Sequence, residues 1–342
     1  MVKIESLFGD NKYSYMLEDF KYIANSNLSF DKLKNKTVLI VGENDAVNES
    51  TAFSLLLRND LFGDNIKVIS VGKLNQQDRD DFIAINDFFE NFDKIAESAI
   101  DYIIFISTDE YDIAKSKTRI GTILAKSKTM ISSVMALAAR KKARLVFVSP
   151  MDIYGSVHNG FEPIKEDEVG YISLTDSKNL SGADARFSET LVSTFAKERG
   201  LSVSFARLPI MYGYGRGLCS KNSKKIFKLI QDSKTNTAIL PKLADEKMSV
   251  AYLADCVRAI LFILLNGKDN EAYNIAFKNN TATLRMILTT AEKLQKKNLT
   301  AEEPQESSFM TPCLILDGER LSNLGFKDHL RLEEGVQKIL NL

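Results

Sequence analysis

The 342-residue sequence predicts an α/β fold in which a doubly wound parallel sheet carries a small mixed C-terminal lobe. Three observations lead to this prediction. Short apolar runs rich in β-branched residues recur through the first two thirds of the chain, helix-length segments separate these runs, and the alternation stops after Gly217. Continuous apolar runs are typical of strands buried on both faces, as in a parallel sheet covered by its crossover helices.

The first predicted strand spans residues 36–41, ends at Gly42, and precedes a helix with the apolar stretch 52–57. Further strands are predicted at 66–71, 82–85, 102–106, 145–148 and 203–208. Two of the intervening helices show apolar residues at helical spacing, and these residues are Leu124, Ile131, Val134 and Ala138 in one and Phe187, Leu191, Val192 and Phe195 in the other. Right-handed crossovers through such helices give a doubly wound sheet.

The remaining segments are shorter and more varied. A helix is predicted at 226–230, an extended segment at 238–240, a long apolar helix at 252–265 and a strand at 272–275. We therefore expect an N-terminal helical extension at 1–34, a sheet domain at 35–217, and lobe segments at 218–342, some of which return to the sheet.

Composition excludes several classes of function. Lysine plus arginine equals aspartate plus glutamate at 45 each, so no net field attracts nucleic acid or an anionic membrane. The three cysteines are widely spaced and odd in number, which suits a reducing compartment, and two histidines do not make a metal site. The longest apolar run, 259–265, is far shorter than the roughly 20 residues of a membrane span. We expect a cytoplasmic protein with no metal, nucleic-acid or membrane partner.

The most informative stretch is 145–217, which reads as strand, Tyr154-Gly155 turn, loop, helix and strand. Similar segments occur at 37–42, 101–106, 138–140, 166–171, 186–189, 207–215, 252–255, 273–275, 321–326 and 332–335. Together they resemble the extended short-chain dehydrogenase/reductase family of NAD-dependent sugar-nucleotide epimerases, dehydratases and decarboxylases, and in particular the dehydratases and UDP-glucuronate decarboxylases. The resemblance implies a Rossmann-like fold.

The turn that holds the dinucleotide in that family is altered. The family pattern Gly-x-x-Gly-x-x-Gly falls on Gly42, Asp45 and Asn48, so one glycine of three remains. We expect Asp45 to cap the following helix, and both side chains to occupy space meant for the pyrophosphate. The second strand is followed by Gly72 and Lys73, with no acid for a ribose, while Asp87 either faces an adenine or is a surface-loop acid. The favoured interpretation is that the helix after Gly42 is structural, is capped by its own residues and binds no cofactor. Residual NAD binding is the alternative.

The catalytic positions implied by the resemblance have also lost their chemical groups. The family uses a serine or threonine hydroxyl, together with a Tyr-x-x-x-Lys pair on one helix, for proton transfer. These positions fall on Pro150, Ser181 and Ala185, and we expect no other register of the chain to supply the pair. Asp152 matches a family glutamate and is the candidate acid, with a turn hydrogen bond as the plainer alternative.

Candidate substrate contacts are equally changed. Tyr154 packs the turn or contacts substrate, and Arg207 is either a structural strand-end arginine or a substrate ligand. The family's phosphate-binding Arg-x-Phe-x-Tyr segment falls on Met248–Tyr252, with Lys247 one residue away, and Lys178 replaces an arginine before the catalytic helix. Lysine can hold a phosphate as a point charge but lacks the bidentate fork of arginine.

Three functions follow as hypotheses. The leading one is a catalytically inactive epimerase/dehydratase-like protein that acts as a binding or regulatory subunit in bacterial surface-polysaccharide metabolism. The second is an active enzyme that uses NAD and relocated groups, and the third is a cofactor-free sensor of nucleotide sugars. The resemblance implies a homodimer, or a heterodimer with an active paralogue, formed through the helices at 119–142 and 181–199.

Overall fold

The structure is a computed structural model that describes residues 3–8, 14–42, 45–74, 77–107, 120–156, 163–214, 221–235, 237–240, 244–297, 313–327 and 329–342. The strands within these residues are β1 (Thr37–Gly42), β2 (Lys67–Val71), β3 (Phe82–Ile85), β4 (Tyr102–Ile106), β5 (Arg144–Pro150), β6 (Val203–Leu208), β7 (Ile210–Tyr212), β8 (Met248–Tyr252), β9 (Ala272–Asn274) and β10 (Thr281–Ala282). The helices are α1 (Ile4–Phe8), α2 (Ser14–Ala24), α3 (Asp45–Phe62), α4 (Phe92–Glu97), α5 (Ile120–Lys141), α6 (Leu180–Arg199), α7 (Lys221–Ser233), α8 (Leu253–Asn266), α9 (Leu284–Gln295), α10 (Glu319–Leu324) and α11 (Leu332–Leu340). Short 3-10 helices lie at Phe30–Leu33, Met151–Tyr154 and Ser177–Asn179.

Seven parallel strands form the main sheet in the order β3-β2-β1-β4-β5-β6-β9. The chain runs outward from β1 to β3, returns to β4 beside β1, and then runs to the other edge. This reversal makes the carboxyl ends of β1 and β4 a topological switch point, which is where ligands bind in open α/β sheets. The predicted doubly wound fold is confirmed.

Two apolar layers cover the sheet. Along β1, Val38 and Ile40 pack into the layer that contains α2, α3 and α8, and Leu39 and Val41 pack into the layer of α4, α5 and α6. This alternation follows from the two-residue period of a strand, and burial on both faces explains the continuous apolar runs in the sequence.

A small lobe continues from the carboxyl edge. β7 pairs parallel with β8, and β10 pairs antiparallel with β8. Helices α7, α9 and α11 pack against this sheet and against one another. The mixed C-terminal lobe predicted from the sequence is therefore present, while strand β9 returns to the main sheet.

One local prediction is corrected. Phe187, expected on the buried face of its helix, is 55% exposed, and the buried face of α6 is formed by the expected Val192 together with small residues such as Ala185 and Ser188. The long apolar helix predicted at 252–265 is present as α8, which begins at Leu253 because Tyr252 still belongs to β8.

Candidate functional site

The turn after β1 begins with a glycine that the backbone requires. Gly42 has φ +152°, and a Cβ atom there would overlap the carbonyl oxygen of Ile106 on β4. Only glycine tolerates this approach between the two central strands. The side chain of Asp45 lies outside the described residues, so its expected capping contact stays a prediction.

Asn48 has a different role from the one expected. Its side chain is 0% exposed and points to β2, where Nδ2 donates to the carbonyl of Val71 (2.9 Å) and Oδ1 accepts from the hydroxyl of Ser70 (2.8 Å). The expectation that Asn48 fills ligand space is therefore wrong. A glycine at this position would let helix and strand approach closely, and here a fully hydrogen-bonded amide joins α3 to β2 instead.

Asp87 follows β3 and organises the next turn. Its Oδ1 accepts from the backbone N–H groups of Phe89 (2.8 Å) and Glu90 (3.2 Å), and its Oδ2 lies 3.2 Å from Nζ of Lys126 on α5. These hydrogen bonds, first that from Glu90 and then that from Lys126, lower the pKa of Asp87. The carboxylate is thus engaged by its own loop and by α5.

The catalytic stretch converges at the carboxyl end of β5. Pro150 is the last residue of that strand, and Asp152 lies in the 3-10 helix that follows. Ser181, near the start of α6, donates a hydrogen bond of 3.2 Å to Oδ2 of Asp152, and Ala185 one turn later is 2% exposed. A Cβ atom on Gly182 would overlap the carbonyl oxygen of Asp152, so a glycine allows this close approach.

A buried polar network lies behind this turn. Arg207 on β6 donates from Nε (3.1 Å) and Nη2 (2.7 Å) to the two carboxylate oxygens of Glu189 on α6. Its Nη1 donates to the hydroxyl of Tyr154 (2.9 Å) and to the carbonyl of Glu166 (2.7 Å). Ser149 donates to the same Glu189 carboxylate.

The network extends to the edge strand β9. The Tyr154 hydroxyl donates to Oδ1 of Asn274 (2.5 Å), and the Asn274 amide donates to the carbonyl groups of Ile164 and Asp317. The Asn274 backbone N–H donates to Oε1 of Glu166 (2.8 Å). Tyr154 and Arg207 are therefore held by protein groups.

The electrostatics of this network follow from burial. Removal from water raises the pKa of Tyr154 to about 12, against the opposing charge of Arg207. Burial likewise raises the pKa of Glu166. Burial alone lowers the pKa of Arg207, but the hydrogen bonds and charge of Glu189 outweigh it and raise that pKa. The tyrosine is protonated and the arginine charged at neutral pH.

The two predicted phosphate-binding lysines are exposed. Lys178 lies in the 3-10 helix before α6, and Lys247 lies immediately before β8. Neither forms an ion pair with a residue that the structure describes. Two cavities of about 400 and 520 Å³ lie along the segment 315–320, and neither is lined by Asp152, Ser181 or Gly42.

Comparison with known proteins identifies the family. The model of the NAD dependent epimerase/dehydratase family matches residues 56–276, which is more than half of the chain. The chain belongs to the NAD-dependent epimerase/dehydratase family. No curated protein sequence matches the chain.

Solved structures of epimerases and dehydratases share the fold of this family member. An epimerase from Methanothermobacter thermautotrophicus superposes with a TM-score of 0.72 at 14% identity, over 96% of this chain and 95% of its own. UDP-glucuronic acid 4-epimerase from Bacillus cereus, solved with UDP-glucuronic acid and NAD, superposes with a TM-score of 0.70 at 16% identity. The match covers 89% of this chain and 98% of the epimerase chain. dTDP-glucose 4,6-dehydratase from Bacillus anthracis, solved with NAD, superposes with a TM-score of 0.69 at 15% identity. The match covers 90% of this chain and 96% of the dehydratase chain.

Two contacts at the catalytic helix of this family member have no simple sequence signal. Lys128 on α5 reaches across to α6, where Nζ lies 2.5 Å from a carboxylate oxygen of Asp184 and 2.5 Å from the hydroxyl of Ser188. Arg186 donates to the backbone carbonyl groups of Ile153, Tyr154 and Gly170. The arginine thus fixes the turn that carries Asp152, and the lysine joins the two long helices.

Sequence reasoning also missed one occurrence of the family's catalytic spacing. Tyr111 and Lys115 form a Tyr-x-x-x-Lys pair in the connection between β4 and α5. Both lie outside the described residues. The expectation that no register of the chain supplies this pair is therefore wrong.

No helix in the described part of the chain is long and apolar enough to cross a membrane.

Proposed function

We propose that this protein is a non-catalytic member of its family, and that it acts in the cytoplasm as a binding or regulatory subunit of bacterial surface-polysaccharide nucleotide-sugar metabolism. The observation that carries the proposal is the state of the three acid–base positions. Pro150 has no hydroxyl group, Ala185 has no ammonium group and is buried, and Ser181 is hydrogen-bonded to Asp152. Loss of a single acid–base group costs about 10²- to 10⁴-fold in rate, and here three positions have changed together.

The residues around β1 also fit NAD poorly. In the family a backbone cradle of three glycines approaches the pyrophosphate, whereas this chain keeps Gly42 alone. Asn48 is committed to β2, Asp87 is committed to its own loop and to Lys126, and no acid follows β2 at Gly72 and Lys73. We therefore propose that the protein functions without a dinucleotide.

Titration of the full-length protein with NAD tests both points. We expect no calorimetric binding of NAD, no nicotinamide in the purified protein, and no product from a panel of UDP- and dTDP-sugars. Tight NAD retention together with turnover of one of these sugars contradicts the proposal. The 4-epimerase activity of a purified UDP-glucuronic acid 4-epimerase is the positive control for the assay.

A protein partner is part of the proposal. Phe187 is a large apolar side chain on the outer face of α6, and the Lys128 ammonium lies 5.6 Å from its ring. Exposed aromatic residues are enriched at interfaces, so we propose that α5 and α6 form a homodimer interface or an interface with an active paralogue. Light scattering at micromolar concentration should give a dimer, Phe187→Glu should give a monomer, and Met286→Glu, a matched change of an exposed apolar residue on α9, should stay dimeric. If the wild-type protein is monomeric and no active paralogue copurifies with it, the proposed interface is contradicted.

The Tyr111 and Lys115 pair supports a second candidate, an active NAD-dependent enzyme with relocated catalytic groups. In this version the pair and Asp152 carry the proton transfers. Turnover of a nucleotide sugar that falls at least about 10²-fold in Tyr111→Phe supports it. Turnover that is equal in Tyr111→Phe and the wild type removes this pair from the mechanism.

The sensor hypothesis differs from both in its ligand. A cofactor-free sensor binds a UDP-sugar in the small lobe with no NAD present, for which the exposed Lys247 offers a phosphate contact. Calorimetry with UDP-sugars in the absence of NAD distinguishes the cases, because a pure protein-binding subunit gives no heat. Loss of binding in Lys247→Ala, but not in Lys228→Ala, supports the sensor.

A further inference from the structure

The described residues 3–8 and 14–34, which precede β1, form an N-terminal arm. It precedes the part of the chain that matches the family, which starts at residue 56. The apolar side of α2, formed by Met16, Phe20 and Ile23, is buried against α3 and α8. The arm is therefore packed as part of the body, and its polar contacts show what it connects.

One set of contacts ties the arm to the sheet domain. The Ile4 backbone N–H donates to Oδ2 of Asp60 near the end of α3 (2.8 Å). Arg58, also on α3, donates to the carbonyl of Ala24 at the end of α2 (3.0 Å), and its guanidinium lies 4.5 Å from the ring centre of Phe30. Both ends of the arm are thus anchored to the helix that follows β1.

A second set ties the arm to the small lobe through Asp19. This buried carboxylate accepts from the Tyr252 hydroxyl at the end of β8 (2.8 Å) and from Nζ of Lys338 on α11 (3.0 Å). Leaving a buried carboxylate without these donors is costly. Helix α2 and the small lobe therefore need each other at this point.

Tyr22 makes the third connection. Its hydroxyl donates to Oδ1 of Asp255 (2.9 Å) and accepts from Nη1 of Arg258 (2.6 Å), both at the start of α8. The other Asp255 oxygen accepts the backbone N–H of Leu330, just before α11 (2.8 Å). Two turns earlier on α2, the ring of Tyr15 contacts that of Tyr214, in the segment after β7, with centroids 3.8 Å apart.

We propose that the N-terminal arm is a strap that couples the position of the small lobe to the sheet domain, so that releasing the arm loosens β8 and α11 while the distant helix α5 is unaffected. The arm is anchored to α3, and Asp19 contacts β8 and α11 directly. Tyr22 contacts Asp255 on α8, whose other carboxylate oxygen accepts from Leu330 just before α11. Local opening of a protein follows such cooperative units. The proposal does not depend on the proposed function, because it involves no ligand.

Hydrogen exchange of the full-length protein, followed by mass spectrometry, tests the strap. We expect Tyr22→Phe and Asp19→Asn to speed exchange about tenfold in α2, β8 and α11, since each removes hydrogen bonds that involve charged groups. Exchange in α5 should not change. Lys21→Ala is the matched control, because Lys21 pairs with Glu5 within the arm at the exposed surface.

Three results overturn the proposal: faster exchange throughout the protein including α5, faster exchange in the arm with no change in β8 and α11, or no change at all. If Tyr22→Phe fails to fold, Lys338→Met decides by the same readout. That change removes one donor to Asp19 from the lobe side and keeps the Tyr252 contact. It should speed exchange in α2 as well as in α11, which a lobe independent of the arm would not show.

Discussion

The hydroxyl of Ser181 donates a 3.2 Å hydrogen bond to the carboxylate of Asp152, which joins the first turn of α6 to the 3-10 helix after β5. Ser181 matches the family's catalytic tyrosine position and Asp152 its glutamate position. The contact therefore places the two candidate groups side by side. It also gives Asp152 a structural role that needs no substrate.

Asp152→Asn should lower the stability of the fold modestly. Like the wild type, it should give no turnover of nucleotide sugars. The amide oxygen can still accept from Ser181, so the loss is the difference between a charged and a neutral hydrogen bond, about 1 kcal/mol. Urea unfolding followed by circular dichroism measures it, and Glu198→Gln, an exposed change on α6, should have no effect. A loss of about 10²-fold in the turnover of a nucleotide sugar would instead make Asp152 an acid–base group.

The Arg207 and Glu189 pair should be far more sensitive. Both side chains are 10% exposed, so Arg207→Met leaves a buried carboxylate whose remaining side-chain donor, among the described residues, is Ser149. Breaking one partner of a buried ion pair costs about 3–5 kcal/mol. In a double-mutant cycle with Glu189→Leu, the double variant should lose less stability than the sum of the losses in the two single variants.

The exposed pair of Arg285 and Asp245 is the matched comparison. It has the same bidentate geometry at 53% and 70% side-chain exposure, and Asp245→Asn should cost little stability because water screens an exposed pair. If Arg207→Met costs no more than Asp245→Asn but abolishes binding of a nucleotide sugar, Arg207 is a ligand contact and not a structural arginine.

The sequence predicts the sheet well and the lobe less well, for a physical reason. The predicted bounds of β3, β4 and β6 match the observed ones, because β3 and β4 are continuous apolar runs and β6 is a largely apolar run that ends before Pro209. The sequence did not predict β7, β8 and β10, because β7 and β10 are short and β8 continues directly into the apolar start of α8. Contacts between distant side chains, such as Tyr154 with Asn274, depend on which strands become neighbours and have no local signal.

The candidate site shows the same limit. Register alone assigns Ser181 and Ala185 to the catalytic positions, but the contact of Ser181 with Asp152 appears only when α6 crosses the 3-10 helix. The direction of the Asn48 side chain likewise depends on where β2 lies beside α3. The arm was predicted as helical, yet nothing local indicates that Asp19 meets Tyr252 more than 200 residues later.

Asn48→Gly, which restores a family glycine, should destabilise the protein without restoring NAD binding. Asparagine is itself a poor helix former, so its change to glycine costs only a few tenths of a kcal/mol (~0.3) in helix propensity. Loss of the buried hydrogen bonds to Ser70 and Val71 costs about 1 kcal/mol or more, so urea unfolding should show a loss of about 1–2 kcal/mol. Ala136→Gly, at an exposed position within α5, gives the full cost of a helical glycine relative to alanine, about 1 kcal/mol, as an upper limit for the helix contribution. A loss of only a few tenths of a kcal/mol (~0.3) in Asn48→Gly would mean that the amide contributes nothing, and a gain of NAD affinity would mean that Asn48 obstructs the cofactor.

Glu166 should make stability fall as pH rises through its titration. Burial raises the pKa of this carboxyl group in the folded protein, so the folded state holds the proton to higher pH than the unfolded chain does. Its contribution is fully present below the unfolded pKa of about 4.3 and is lost as pH rises through the folded pKa. In urea unfolding between pH 4 and pH 8, the free energy of unfolding of Glu166→Gln should rise relative to that of the wild type as pH increases. The reason is that the amide keeps an acceptor for the Asn274 N–H and carries no charge. Asp167→Asn, an exposed neighbour that also pairs with Arg320, should show no such gain. If the wild type instead becomes more stable relative to Glu166→Gln as pH rises, the attraction of the Glu166 carboxylate to Arg320 outweighs the cost of its burial.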